Sequence, residues 1–100
     1  MNLYINTKDR KQVVVEIRDT REVISKMSEE NEYGSQVLLP LIDRLLKKCN
    51  LDYNSLSGIE VETGPGSFTG LRVGVSVANA LGYVLDIPVN RKKMEIDLIY

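Results

Sequence analysis

One hundred residues, with Lys plus Arg at 13, Asp plus Glu at 14 and a net charge of −1, make one domain and lack the basic excess of a general nucleic-acid binder. There is no histidine, which excludes Ser-His-Asp and Cys-His nucleophile arrangements and imidazole metal ligands; a single cysteine excludes an internal disulfide. Lys8, Asp9, Arg10 and Lys11 interrupt any early leader-like apolar run, and no apolar run approaches the ~20 residues that span a bilayer, so a cytoplasmic protein with no membrane segment is expected.

The first 28 residues read as a three-stranded meander. Leu3-Tyr4-Ile5 is a short strand, and Thr7 to Lys11 is a polar turn. Val13-Val14-Val15-Glu16-Ile17 is rich in β-branched residues, and Asp19-Thr20 is a tight turn that returns Val23 to Met27 antiparallel. Ser28 to Gly34 reads as a loop, with Glu29, Glu30 and Glu32 as solvated charges rather than an acid-base cluster.

A helix is predicted from Ser35 to Cys49. Leu38, Leu41, Ile42, Leu45, Leu46 and Cys49 recur at three-and-four spacing and form one apolar face. Ser35 suits the N-cap, and Lys47 and Lys48 suit the negative end of the helix dipole. Asn50 tolerates the left-handed conformation that ends helices, with Leu51 folding back on the last turn. Pro40 removes one helical hydrogen bond, so a local kink is expected. Cys49 on the apolar face reads as a small buried hydrophobe, not a nucleophile.

Gly58 to Glu62 alternates as a strand, with Ile59 and Val61 on one side and Glu60 and Glu62 on the other. The stretch ETGPGSFTGLRVGVSVANALG then runs from a strand end into a helix. Val73, Val75 and Val77 alternate as a strand would, but Leu71 to Leu85 has no turn signal, and that length favours a helix. On a helical wheel, Arg72, Ser76, Asn79 and Tyr83 form a polar stripe, while Val73, Val77, Ala80 and Val84 share an apolar side. Gly70, Gly74, Ala78 and Gly82, flanked by Leu71 and Val75, form a third side of small residues suited to close helix approach. A last strand is expected between Val89 and Tyr100, and Arg91-Lys92-Lys93 reads as a solvated basic run.

The loop has neither the Rossmann spacing nor the Lys-Ser/Thr pair of a P-loop. It does lead into a helix N-terminus, where backbone amides bind anions, so Gly66, Ser67 and Thr69 are candidate anion-binding residues. The competing reading is a tight turn with a helix cap and close backbone packing. Phe68 is expected as a hydrophobic plug over the strand ends. No catalytic or metal-binding residue and no cofactor are assigned.

GPGSFTGLRVGVSVANALG, followed by IPV, closely resembles the signature of the TsaB (YeaZ) family, and VLLPLIDRLLKKCNLDYNSLSGIEV resembles that family's first helix and the strand after it. LLPLID accounts for Pro40. The resemblance implies an α/β fold: a single ribonuclease-H/actin-like lobe of the ASKHA group. Its three-stranded antiparallel meander, helix, strand, helix and strand would give a mixed five-stranded sheet with two helices on one face. Family members are usually about twice this length. The chain therefore matches one N-terminal lobe over residues 1–100, with the second lobe absent, whether lost, separate or removed. Ile5-Asn6-Thr7-Lys8 stands where the family often has an Asp-Thr-Ser-like turn, so Asn6 loses a carboxylate partner for metal or phosphate. With no helix after the last strand, Glu60 and Glu62 would lie on an open sheet face.

TsaB proteins are non-catalytic partners of TsaD in threonylcarbamoyladenosine synthesis on tRNA. The resemblance thus implies an inactive scaffold that pairs its two helices with a TsaD-like catalytic subunit and meets tRNA only indirectly. The same surface would form a homodimer when the partner is absent. The expected interface is drawn from Leu38, Leu41, Ile42 and Leu45 of the first helix with Gly70, Leu71, Gly74, Val75, Ala78 and Gly82 of the second, some of which must pack inside the lobe instead. The alternative is a nucleotide- or phosphate-binding enzyme domain of the actin-like ATPase fold.

Overall fold

The computed structural model describes residues 1–9, 11–30 and 35–91, with the side chains of Ser35 and Phe68 outside that description. Four strands form one mixed sheet: β1 (Asn2–Asn6), β2 (Gln12–Asp19), β3 (Glu22–Glu30) and β4 (Gly58–Val61), in the order β3-β2-β1-β4. β1 pairs antiparallel with β2 and parallel with β4, and β2 pairs antiparallel with β3. Thr20, with φ of 60°, makes the left-handed step that closes the β2–β3 turn.

Register decides which side chains meet. Leu3 stands opposite Ile17 and Ile59, and Ile5 opposite Val15 and Val61. These six, with Val13, form the apolar face of the sheet, and all are buried. Helix α1 (Ser35–Lys48) covers that face mainly over β2 and β3, and α2 (Phe68–Leu85) covers it over β4 and β1. Leu38, Leu41, Ile42, Leu45 and Leu46 of α1 join Val75 and Ala78 of α2 in one core with the strand residues. Each fully buried leucine or isoleucine contributes about 1.5–3 kcal/mol against an exposed one, so these four leucines and Ile42 dominate the attachment of α1.

Helix α1 ends as its residues predict. Asn50 has φ of 59°, its amide donates to the Lys47 carbonyl at 3.1 Å, and the Leu51 amide reaches back to the Leu46 carbonyl at 2.9 Å. The helix runs through Pro40, whose side is exposed. Cys49 is half-buried at the edge of the core. A single 3-10 turn at Tyr53–Ser55 follows, capped by the Asp52 carboxylate, which accepts from the Ser55 amide at 3.0 Å.

Two expectations change. Ser28 to Glu30 belong to β3 rather than to a loop. Charge there is compatible with a strand because β3 lies at the edge of the sheet, where charged residues discourage further pairing. Glu29 instead forms an ion pair with Arg44 of α1. The expected final strand appears among the described residues as one parallel bridge between Ile59 and Val89; Lys92 to Tyr100 lie outside them. Asn90 reinforces that bridge: its side chain accepts from the Val61 amide at 2.8 Å and donates to the Val61 carbonyl at 3.0 Å.

Candidate functional site: the loop before α2 and the outward helical surface

The chain leaves β4 through Glu62 and Thr63 and turns at Gly64, whose φ of 108° suits glycine. Ser67 then caps α2, its hydroxyl accepting from the Gly70 amide at 3.4 Å. The β1–β2 turn packs against this junction. The Ser67 amide donates to the Lys8 carbonyl at 2.8 Å, and the buried Thr7 hydroxyl donates to the Gly70 carbonyl at 2.5 Å. Asn6 folds the same turn inward, its side-chain oxygen accepting from the Lys8 amide at 3.1 Å.

The three candidate anion-binding residues therefore sit side by side in different roles. Gly66 packs so closely on Lys8 that a Cβ there would collide with it. Ser67 directs both its amide and its hydroxyl to the protein itself. Thr69 is exposed in the first turn of α2. No group of three or more His, Cys, Asp or Glu residues able to hold a metal ion occurs among the described residues. No helix there is long and apolar enough to cross a membrane.

All ten residues expected at a partner interface are buried inside the lobe, which corrects the expected surface. Leu38, Leu41, Ile42 and Leu45 pack on the sheet. Leu71, Val75 and Ala78 are likewise buried. The small-residue side of α2 receives parts of this same chain: Gly70 meets the Thr7 carbonyl, Gly74 the Thr7 side chain, and Gly82 the Val89 side chain. The physical reason is close approach. The β1–β2 turn and the segment after α2 press on the helix where a Cβ would obstruct them.

The other apolar side of α2 faces outward. Val77, Ala80, Leu81 and Val84, with Ser76 and with Leu39 of α1, line an apolar groove of about 290 Å³ between the helices. Leu39 is 46% exposed, Val84 78% and Tyr83 84%. Val77, Ala80 and Val84 belong to the stripe visible on the helical wheel. Leu39 was detectable only as a leucine off the spacing of its buried neighbours.

The sheet face opposite the helices is polar. Tyr4 donates to Glu62 at 3.1 Å, and the Arg18 guanidinium lies 3.9 Å over the Tyr4 ring while donating to Glu16 at 2.8 Å. Glu60 stands 3.8 Å from Arg18, with a side chain 40% exposed. Burial, and then the Glu62 charge, push the Tyr4 hydroxyl above its usual titration range.

A family model described as TsaD, tRNA N6-adenosine threonylcarbamoyltransferase, matches residues 28–91. The chain belongs to this family, in its TsaB/YeaZ branch. It is 44% identical over 52 residues to the tRNA threonylcarbamoyladenosine biosynthesis protein TsaB of Bacillus subtilis, covering 52% of this chain and 23% of that protein. It is 34% identical over 89 residues to a tRNA N6-adenosine threonylcarbamoyltransferase of Geotalea daltonii, covering 73% of this chain and 26% of that one. The structure of YeaZ from Pseudomonas aeruginosa superimposes with a TM-score of 0.79 at 26% identity, over 88% of this chain and 41% of YeaZ. The chain thus spans less than half the length of each of these relatives.

Proposed function

We propose that this TsaB-like lobe is a non-catalytic scaffold in threonylcarbamoyladenosine formation on tRNA, and that it engages a TsaD-like catalytic subunit through the outward surface of α1 and α2. The observation that carries this reading is the apolar groove lined by Leu39, Val77, Ala80, Leu81 and Val84. Large apolar side chains left in water on two adjacent helices suit burial against a partner's helices. In this reading the interface moves from the buried small-residue side of α2 to its exposed valine side.

The catalyst is the partner in this scheme, and it is the partner that holds the tRNA nucleoside being modified. The chemistry of the α2 loop supports the division, because Gly66 and Ser67 are occupied in folding the β1–β2 turn onto the helix. Calorimetric titration of the chain with ATP and magnesium tests it: no binding is expected, and tight binding would favour the nucleotide-binding alternative. Self-association of the chain that Leu39→Asp or Val84→Asp abolishes would identify a homodimer as the occupant instead.

A further inference from the structure

A second concave feature lies at the opposite end of the sheet from the α2 loop. The starts of β1 and β4 meet the β2–β3 turn and the segment from Pro88 to Arg91 around a hollow of about 430 Å³. That volume is in the range of small-ligand sites. Three of its lining residues are arginines, Arg18, Arg21 and Arg91, and its one carboxylate is Glu60. The whole chain carries a net charge of −1, so this cationic character is local.

The three arginines are not equivalent. Arg18 is fixed against Glu16 and the Tyr4 ring, and its charge is largely offset by Glu16 and Glu60. Arg21 and Arg91 are exposed and make no ion pair among the described residues. The backbone leading into Arg91 is anchored, because the Asn90 amide donates to the Ile59 carbonyl at 2.7 Å and the Asn90 side chain clamps Val61. Both Asn90 and Arg91 adopt left-handed backbone angles, with φ of 49° and 67°. Thr20, Ser57 and Asn2 add neutral polar side chains to the wall.

We propose that this hollow binds a phosphate ester, its phosphate between Arg21 and Arg91 and a hydroxyl or amino group of the same molecule donating to Glu60. The planar guanidinium fork matches phosphate oxygens in paired hydrogen bonds. A single acceptor among three arginines selects a ligand that also carries a donor. The proposal uses a different end of the lobe from the helical surface and stands independently of it.

The test is titration of the full chain, followed by amide chemical shifts, with adenosine monophosphate, adenosine and a short single-stranded RNA. Binding by the monophosphate, the RNA or both, with none by adenosine, is expected; the pattern distinguishes a free ester from a nucleic-acid phosphate. Arg21→Gln and Arg91→Gln should each weaken binding about tenfold, the scale of losing a charged hydrogen bond. Lys48→Gln, at the end of α1 on the other side of the sheet, should leave it unchanged. The proposal is overturned if neither phosphate ligand binds, if adenosine binds as well, or if Lys48→Gln weakens binding as much as the arginine variants.

Discussion

The Thr7 hydroxyl donates to the carbonyl of Gly70, 63 residues along the chain, and so ties the β1–β2 turn to the first turn of α2. The bond is buried, and it lies where Gly70 and Gly74 leave no side chain in the way. It explains why the glycines of α2 face inward rather than toward a partner.

Thr7→Val keeps the shape of the side chain and removes the donor. A loss of about 1–2 kcal/mol is expected, since a buried hydrogen bond is removed and little packing changes. Urea unfolding of the two chains measures it directly, and an unchanged midpoint would mean that the bond contributes nothing.

Gly70→Ala sets two effects against each other. Helix propensity favours alanine by up to about 1 kcal/mol. The new Cβ, however, would collide with the Thr7 backbone carbonyl, which cannot rotate away. Overpacking of this kind costs about 1–3 kcal/mol or more, so net destabilisation is expected. At Gly74 the obstacle is the Thr7 side chain, and Gly74→Leu is expected to unfold the lobe rather than merely block association. Circular dichroism on heating separates those outcomes.

Much of the fold was legible because its signals are local. β-branched runs marked the strands, and three-and-four spacing marked α1. The helical wheel also identified two non-polar sides of α2. What it could not show was which side meets the sheet, because a ridge of small residues signals close approach without naming what approaches. Here that is Thr7 and Val89, brought in by topology. Glu29 and Glu30 were misread for a related reason, since their strand is stable only as an edge beside β2. Leu39 was hidden among the buried leucines of α1, and its exposure follows from where the groove opens.

Asn90→Ala removes the two side-chain hydrogen bonds to Val61 and leaves the backbone bonds between Ile59 and the segment from Pro88 to Asn90 in place. At about 0.5–1.5 kcal/mol each, a loss of roughly 1–3 kcal/mol is expected. Hydrogen exchange should also quicken at the Val61 amide before it does at β1, and equal change at both would point to global unfolding only.

Alkaline pH should weaken the fold through two tyrosines. Burial comes first in raising both hydroxyls above their ordinary value of 10.0, followed by Glu62 for Tyr4 and Asp43 for Tyr53. The folded chain therefore holds these protons more tightly than the unfolded chain. Their stabilisation is full below about pH 10 and is lost as pH rises through the folded values. Denaturant midpoints should fall from about pH 9 to about pH 11, and Tyr4→Phe should reduce that fall. An identical fall in the variant would remove Tyr4 from the explanation.

In the proposed scheme the outward groove, not the glycine side of α2, joins a TsaD-like subunit. Co-elution of the purified chain with the TsaD-like protein of the same cell, compared with its Leu39→Asp and Val84→Asp variants, tests it most directly. Both positions are exposed, so the variants should keep their stability to within about 0.5 kcal/mol. A complex is expected with the unaltered chain and none with either variant. No complex with the unaltered chain, or equal complex formation by folded variants, would contradict it.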